Sequence, residues 1–221
     1  MRNIKISVGE FYHIYNRGVD KRITFKDRVD YERFLASLFL FNSNKRIRIE
    51  DVLPFTKDIL SDMLIVNKGE SIVAIGAYCL MPNHFHLLLT PLIDNGVSIF
   101  MQKLQTSYTM YFNNRNQRTG SLFQGTFKSE HANRDEYLKY LYSYIHLNPA
   151  KIIDPEWRES INLINKEKIK DQVLSYPYSS NKEYLIGKHI ITNPNPFPQY
   201  FLSYKEFEDY LNFWIKFNPT G

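Results

Sequence analysis

From Met81 to Thr90 the chain reads Met-Pro-Asn-His-Phe-His-Leu-Leu-Leu-Thr, and no other stretch narrows its possible folds as much. After Pro82 it is rich in Leu and Phe, and Pro91 closes it, which predicts one buried strand. Alternate residues of a strand share a face, so His84, His86, Leu88 and Thr90 point one way and Phe85, Leu87 and Leu89 the other. Two imidazoles side by side on one face are a ready pair of nitrogen ligands for a divalent metal. A lone His-x-His is more often a strand end with two hydrogen-bonded histidines, so the pair gains meaning only from partners elsewhere in the chain.

The chain around this strand alternates strands with amphipathic helices. Phe11 to Asn16 is a β-branched and aromatic run ended by Arg17-Gly18, and predicts the first strand. His13 within it is structural or approaches the metal from a neighbouring strand. From Asp27, a candidate N-cap, Tyr31, Phe34, Leu35 and Leu38 recur at helical spacing, and Asn42-Ser43-Asn44 ends the pattern. A short helix is expected around Thr56–Met63, a strand over Ser71–Leu80, a helix over Ser98–Asn113 and a strand over Leu122–Ser129. Asn133 then caps a helix that carries Tyr137, Leu138, Leu141, Tyr144 and Ile145 and ends at Pro149. This order predicts an α+β, ferredoxin-like antiparallel sheet with helices on one face. Residues 1–153 form the expected catalytic domain. Residues 154–221, with an aromatic amphipathic helix at Tyr204–Phe217, form a helical C-terminal extension packed on it.

Composition sets limits on partners and compartment. Lys and Arg number 28 against 23 Asp and Glu, a net charge of +5 that permits a phosphate-rich partner. Aromatic residues make up 15% of the chain, and tyrosines on a basic surface suit stacking on unpaired bases. Between Asn95 and Ser129 the charged residues are Lys103, Arg115, Arg118 and Lys128, with no acid among them. With Arg17, these are the candidate contacts to the phosphates of a nucleic acid. The single cysteine, Cys79, forms no intrachain disulfide, and no run reaches the length of a membrane span, so a cytoplasmic protein is expected, with no membrane partner.

The second candidate site is Tyr144-Ile145-His146-Leu147-Asn148-Pro149. Residues four apart share a helix face, which puts Tyr144 and Asn148 together and His146 off that face, structural or against phosphate. The amide oxygen of Asn148 is a neutral hard ligand suited to Mg²⁺ or Mn²⁺. Two imidazoles and one amide oxygen leave open positions for water and a phosphate oxygen. An open metal site beside a phenol is the minimum equipment for phosphoryl transfer through a covalent intermediate. For Tyr144 taken alone, a place on the buried stripe of its helix is the commoner role.

The setting Leu80-Met81-Pro82-Asn83-His84-Phe85-His86-Leu87-Leu88 resembles the HUH motif of the single-tyrosine transposases. Tyr144-Ile145-His146-Leu147-Asn148-Pro149-Ala150-Lys151 resembles the tyrosine motif of their REP-associated branch. Three more stretches agree: Tyr12 to Gly18, Gly120 to Ser129, and Tyr176-Pro177-Tyr178-Ser179-Ser180. The resemblance implies a ferredoxin-like, RRM-like fold. It further implies hairpin-bearing single-stranded DNA as partner, cleavage without ATP, and one Mg²⁺ or Mn²⁺ ion. By the same resemblance His84, His86 and Asn148 hold the metal. Tyr144 becomes a 5′-phosphotyrosine with release of a 3′-hydroxyl, and reversal rejoins strands. Insertion-sequence members usually carry Gln where Asn148 stands, so Asn148-Pro149 points to the REP-associated branch. Members of the family act as monomers or homodimers. The rival expectation is a domesticated hairpin-binding protein that does not cut. A replication-initiator or relaxase-like nickase shares the chemistry but not these sequence contexts.

Overall fold

The His-bearing strand is an inner strand of a four-stranded antiparallel sheet ordered β2-β3-β1-β4. The computed structural model describes residues 5–52, 58–159 and 163–216. Its strands are β1 (Tyr12–Arg17), β2 (Val73–Met81), β3 (His84–Pro91) and β4 (Lys128–His131). Helix α1 (Arg28–Phe41), the one-turn helices α2 (Ile49–Val52) and α3 (Ile59–Asp62), and helix α4 (Gly96–Arg115) fall between them. The arrangement is the expected α+β, ferredoxin-like one, with α1 and α4 as the two crossovers.

Strand alternation divides the sheet into two faces. Tyr12, Ile14, Phe85, Leu87 and Leu89 meet Phe34, Leu38, Phe100, Leu104 and Tyr108 of α1 and α4 in one core. Burial of a Phe or Leu there contributes about 1.5–3 kcal/mol each. Helix α1 begins where Asp27 accepts hydrogen bonds from the backbone of Val29 and Asp30, as expected of an N-cap. At its other end the Asn42 side chain accepts from Ile72 N and Val73 N and donates to Val73 O, which joins α1 to the start of β2.

The opposite face carries His13, Tyr15 and Arg17 of β1 beside Leu88, His86 and His84 of β3. It is covered in part by α5 (Asp135–His146), whose Leu138, Leu141, Tyr142 and Ile145 lie on Ala74, Ala77, Cys79, Met81 and Leu88, so helices pack on both faces and not on one as expected. Small side chains along β2 let this helix approach the sheet closely. Helices α6 (Ala150–Ile153), α7 (Leu163–Ser175), α8 (Asn181–Ile186) and α9 (Tyr204–Lys216) follow. A third apolar cluster joins Leu147 and Trp157 to Ile169, Val173, Phe207 and Leu211 of α7 and α9.

The Tyr-Pro-Tyr-Ser-Ser stretch closes the edge of β2. Leu80 N donates to Tyr178 O at 2.9 Å, Ser180 N donates to Tyr78 O at 3.0 Å, and the Tyr176 hydroxyl donates to Leu80 O at 2.7 Å. An edge strand thereby loses its free backbone groups.

Several boundaries differ from those read in the sequence. The strand expected over Leu122–Ser129 forms at Lys128–His131, because Gly125 takes φ +66° and Leu122, Phe123 and Phe127 turn into the α1–α4 core instead of alternating. Arg134, not Asn133, occupies the N-cap position of α5, with no side-chain cap bond. Of the helix expected around Thr56–Met63, Thr56 lies outside the described residues and Ile59–Asp62 is helical. Phe217, the expected end of α9, also lies outside them.

Candidate functional site

The hairpin between β2 and β3 turns at Pro82-Asn83 and delivers His84 to the sheet end. Asn83 Nδ2 donates to Lys21 O at 3.1 Å, which fixes the amide so that its oxygen accepts from His84 Nδ1 at 2.6 Å. That bond leaves Nε2 of His84 for the cavity. One pleat along, His86 Nδ1 lies 2.9 Å from Nε2 of His13, leaving His86 Nε2 in turn. The two ring centroids are 5.0 Å apart at 88°.

Tyr144 reaches the same place from α5, its ring centroid 5.5 Å from that of His86. His84, His86 and Tyr144 line one cavity of about 350 Å³ with Tyr15, Arg17, Lys128 and Lys151 among its walls. Among the described residues no carboxylate lines it, Glu130 standing on the far side of His86 and Tyr144. Lys128 stands over the Tyr15 ring at 6.0 Å and Lys151 over the Tyr144 ring at 5.6 Å. Such a wall attracts an anion, and a phosphodiester is one.

Burial sets the protonation states. It lowers His84 to about 4, helped by the positive charges of Lys151 and Arg17. It also holds His86 well below the ordinary imidazole range, with His13 and His84 adding to the effect. Both rings are therefore neutral at pH 7, the form that ligates metals. Burial likewise raises the Tyr144 phenol, with Tyr140 and Glu130 acting in the same direction and Arg158 in the other.

Asn148 stands just past the end of α5, fully buried, with its Nδ2 donating to Tyr144 O at 2.8 Å. Its Oδ1 is buried and has no hydrogen-bond partner among the described residues. A buried amide oxygen without a donor is the kind of atom a cation completes. It lies behind Tyr144, in a smaller cavity shared with Lys151, Trp157 and Arg158, and does not line the histidine cavity. Among the described residues no group of three or more His, Cys, Asp or Glu side chains is placed to hold a metal. The two neutral imidazoles thus face one cavity and the orphaned amide oxygen another: the histidines fit a divalent ion with open coordination positions, and this structure does not bring Asn148 to the same place.

The five cations expected to meet DNA are not together. Arg17 and Lys128 line the histidine cavity, as register neighbours of His84 and Tyr15. Lys103 donates to Ser43 O at 2.8 Å and to Lys45 O at 3.3 Å. Arg115 is held by Asp27 and Asp30, its Nη2 2.7 Å from Asp27 Oδ2 and its Nη1 2.5 Å from Asp30 Oδ1. Arg118 donates to Asn113 Oδ1 at 2.6 Å. Helix α4 therefore directs its charges to the α1 side of the molecule, away from the histidines.

His146 is fully buried: Nδ1 donates to Tyr142 O at 2.8 Å and Nε2 meets the Ser180 hydroxyl at 2.6 Å, so its role is structural. Lys151 and Gln124 join the cavity wall without having been singled out in the sequence. Lys151 comes from α6, beyond the break after His146, so helical spacing from Tyr144 gave no signal for it. No helix among the described residues is long and apolar enough to cross a membrane.

No curated protein matches the chain. One solved structure, described as a REP-associated tyrosine transposase bound to a REP hairpin, is similar with a TM-score of 0.49 and 15% identity, over 87% of this chain and 89% of that one. The family model described as "Transposase IS200 like" matches residues 39–148, a span that contains His84, His86, Tyr144 and Asn148. The chain belongs to the IS200-like transposase family.

Proposed function

We propose that this transposase nicks and rejoins single-stranded DNA beside a hairpin, with Tyr144 as nucleophile and with His84, His86 and Asn148 holding one Mg²⁺ or Mn²⁺ ion. The observation that carries this reading is the Tyr144 ring 5.5 Å from His86 in a cavity bordered by Arg17, Lys128 and Lys151. A divalent ion held there supplies Lewis-acid polarisation of the scissile phosphate. The protein's own groups do the rest. Arg17 and Lys128 bind the phosphodiester and orient it, and the wall of α5 fixes the phenol beside it.

In the forward step the Tyr144 Oη–P bond forms and the P–O3′ bond breaks. The phenolic proton goes to solvent, and the departing 3′-oxygen takes one up as a hydroxyl. The 5′-phosphate stays on Tyr144, and attack by a 3′-hydroxyl reverses the sequence to join strands. Residues 1–153 supply these groups and 154–221 serve as the extension that supports them. Since His86 and Tyr144 meet within one chain, no second copy is needed to complete the cavity, which supports the REP-associated branch and a working monomer. A cysteine left free and buried at position 79 accords with a reducing cytoplasm.

A hairpin-binding protein that does not cut is the second reading, favoured by the seclusion of Asn148 behind Tyr144. Incubation with a pool of single-stranded hairpin DNAs and Mn²⁺, followed by a denaturing gel and mass mapping, separates the two. A chelator-sensitive DNA adduct on Tyr144 is expected. Hairpin binding without any adduct would establish the second reading.

A further inference from the structure

Behind His86 lies a second buried histidine that the reaction above does not use. His13 of β1 is 4% exposed, its Nε2 2.9 Å from His86 Nδ1, and the two rings stack at 5.0 Å. Its other nitrogen, Nδ1, lies 3.8 Å from the Glu130 carboxylate, directly across the β1–β4 pair. Glu130 is itself held by the Tyr15 hydroxyl at 2.7 Å and the Tyr137 hydroxyl at 3.0 Å. His13 also meets the edge of the Tyr144 ring at 5.6 Å.

We propose that Glu130 and His13 form a relay that fixes His86 as the Nδ1–H tautomer, so that its Nε2 lone pair is kept for a metal ion in the cavity. Burial favours the neutral form of both rings, with one proton each. A carboxylate beside Nδ1 of His13 favours the proton there, since the alternative sets a lone pair against an anion. Nε2 of His13 is then bare and accepts from His86 Nδ1–H. The remaining nitrogen of His86, Nε2, carries only its lone pair. Without the relay, His86 is free to take the tautomer whose proton blocks the ligand position. His13 and Glu130 are thus positioning residues rather than ligands, acting through His86.

This rests on the reading of His84 and His86 as metal ligands, and its test keeps the two apart. Long-range ¹H–¹⁵N spectra of the metal-free protein report the tautomer of His86 directly. The expected pattern is a protonated Nδ1 and a bare Nε2, lost in His13→Phe and retained in His13→Gln, whose amide oxygen accepts the same bond. In parallel, Mn²⁺ alone is titrated into each protein and followed by electron paramagnetic resonance. His13→Phe is expected to bind about tenfold or more weakly and His13→Gln within a few-fold of the parent. A protonated Nε2 on His86 in the unaltered protein would overturn the relay, and so would equal Mn²⁺ affinity in a folded His13→Phe protein. Should the unaltered protein show the expected tautomer yet bind no Mn²⁺, the metal reading itself is wrong and the relay's purpose with it.

Discussion

Replacing Arg115 by Met separates a DNA-contacting arginine from a structural one. Its guanidinium bridges Asp27 and Asp30, and Asp30 is a fully buried carboxylate. Among the described residues, removing the guanidinium leaves Asp30 with the Tyr111 hydroxyl at 3.0 Å and Lys26 N at 2.9 Å as donors. Loss of one partner from a buried ion pair costs about 3–5 kcal/mol. Two donors remain and Arg115 is 37% exposed, so the lower end applies, about 3 kcal/mol. With a urea m-value of roughly 2–3 kcal/mol/M, the unfolding midpoint should fall by about 1 M or more. Asp30→Asn combined with Arg115→Met should recover part of the loss, because the stranded charge is gone. Hairpin affinity, measured on folded protein, should keep its salt dependence. A midpoint unchanged within 0.2 M, with the slope of log K against log salt reduced by about 0.7–0.9, would refute this assignment and return Arg115 to the DNA surface.

Tyr144→Phe should abolish strand cleavage and the covalent adduct while hairpin affinity stays within about twofold, since the phenol oxygen is needed only for attack; surviving cleavage would shift the nucleophile to another tyrosine. Arg17→Gln and Lys128→Gln should each reduce the salt slope of DNA binding by about 0.7–0.9, and Lys103→Gln should not. Fluorescence anisotropy at several salt concentrations checks this, and equal losses in all three variants would contradict the placement of Lys103 against backbone carbonyls. His146 is held neutral, at about 3, by burial. Its folded pKa lies below the unfolded value of about 6.5, so the unfolded chain binds the extra proton between those limits. Stability is therefore full above pH 6.5 and falls toward pH 3, by up to about 1.4 kcal/mol per pH unit for this one group. Urea unfolding at pH 7, 6 and 5 should show a shallower decline for His146→Gln than for the parent, and identical slopes would exclude His146 as a source.

How much of this was legible in the sequence follows from what periodicity encodes. Alternation in β3 reported which residues share a face, and the paired histidines, the inward Phe85 and the ferredoxin-like order came with it. Tyr144 beside His86 was expected from motif resemblance, and the fold brings the rings together across 58 positions of chain. Periodicity does not report partners. Asp30, which takes Arg115 out of the basic stretch, lies 85 residues away on another helix. His13, expected to be structural or to approach the metal from a neighbouring strand, does stand against His86, 73 residues away, though its position there could not be read from periodicity. Leu122 and Phe123 looked like a strand because they are apolar and flanked by glycines, yet their side chains fill the α1–α4 core from a loop.

The separation between Tyr144 and the histidines is set by residues outside the cavity. Ala74, Ala77 and Cys79 present a low surface on β2, and α5 settles onto it at a depth that their small side chains define. From the other side the Ser180 hydroxyl meets His146 of α5 at 2.6 Å while Ser180 N and Oγ bond the backbone of Tyr78, so one serine ties the tyrosine helix to the sheet edge. Asn181 extends the tie, its Nδ2 donating to His146 O and to Val173 O of α7. A shift of about 1 Å in α5 would be enough to spoil alignment for in-line attack. The Tyr-Pro-Tyr-Ser-Ser stretch therefore bears on the site although none of its side chains lines the cavity: it fixes the helix that carries Tyr144 against the sheet that carries the histidines, the spacing the proposed attack would need.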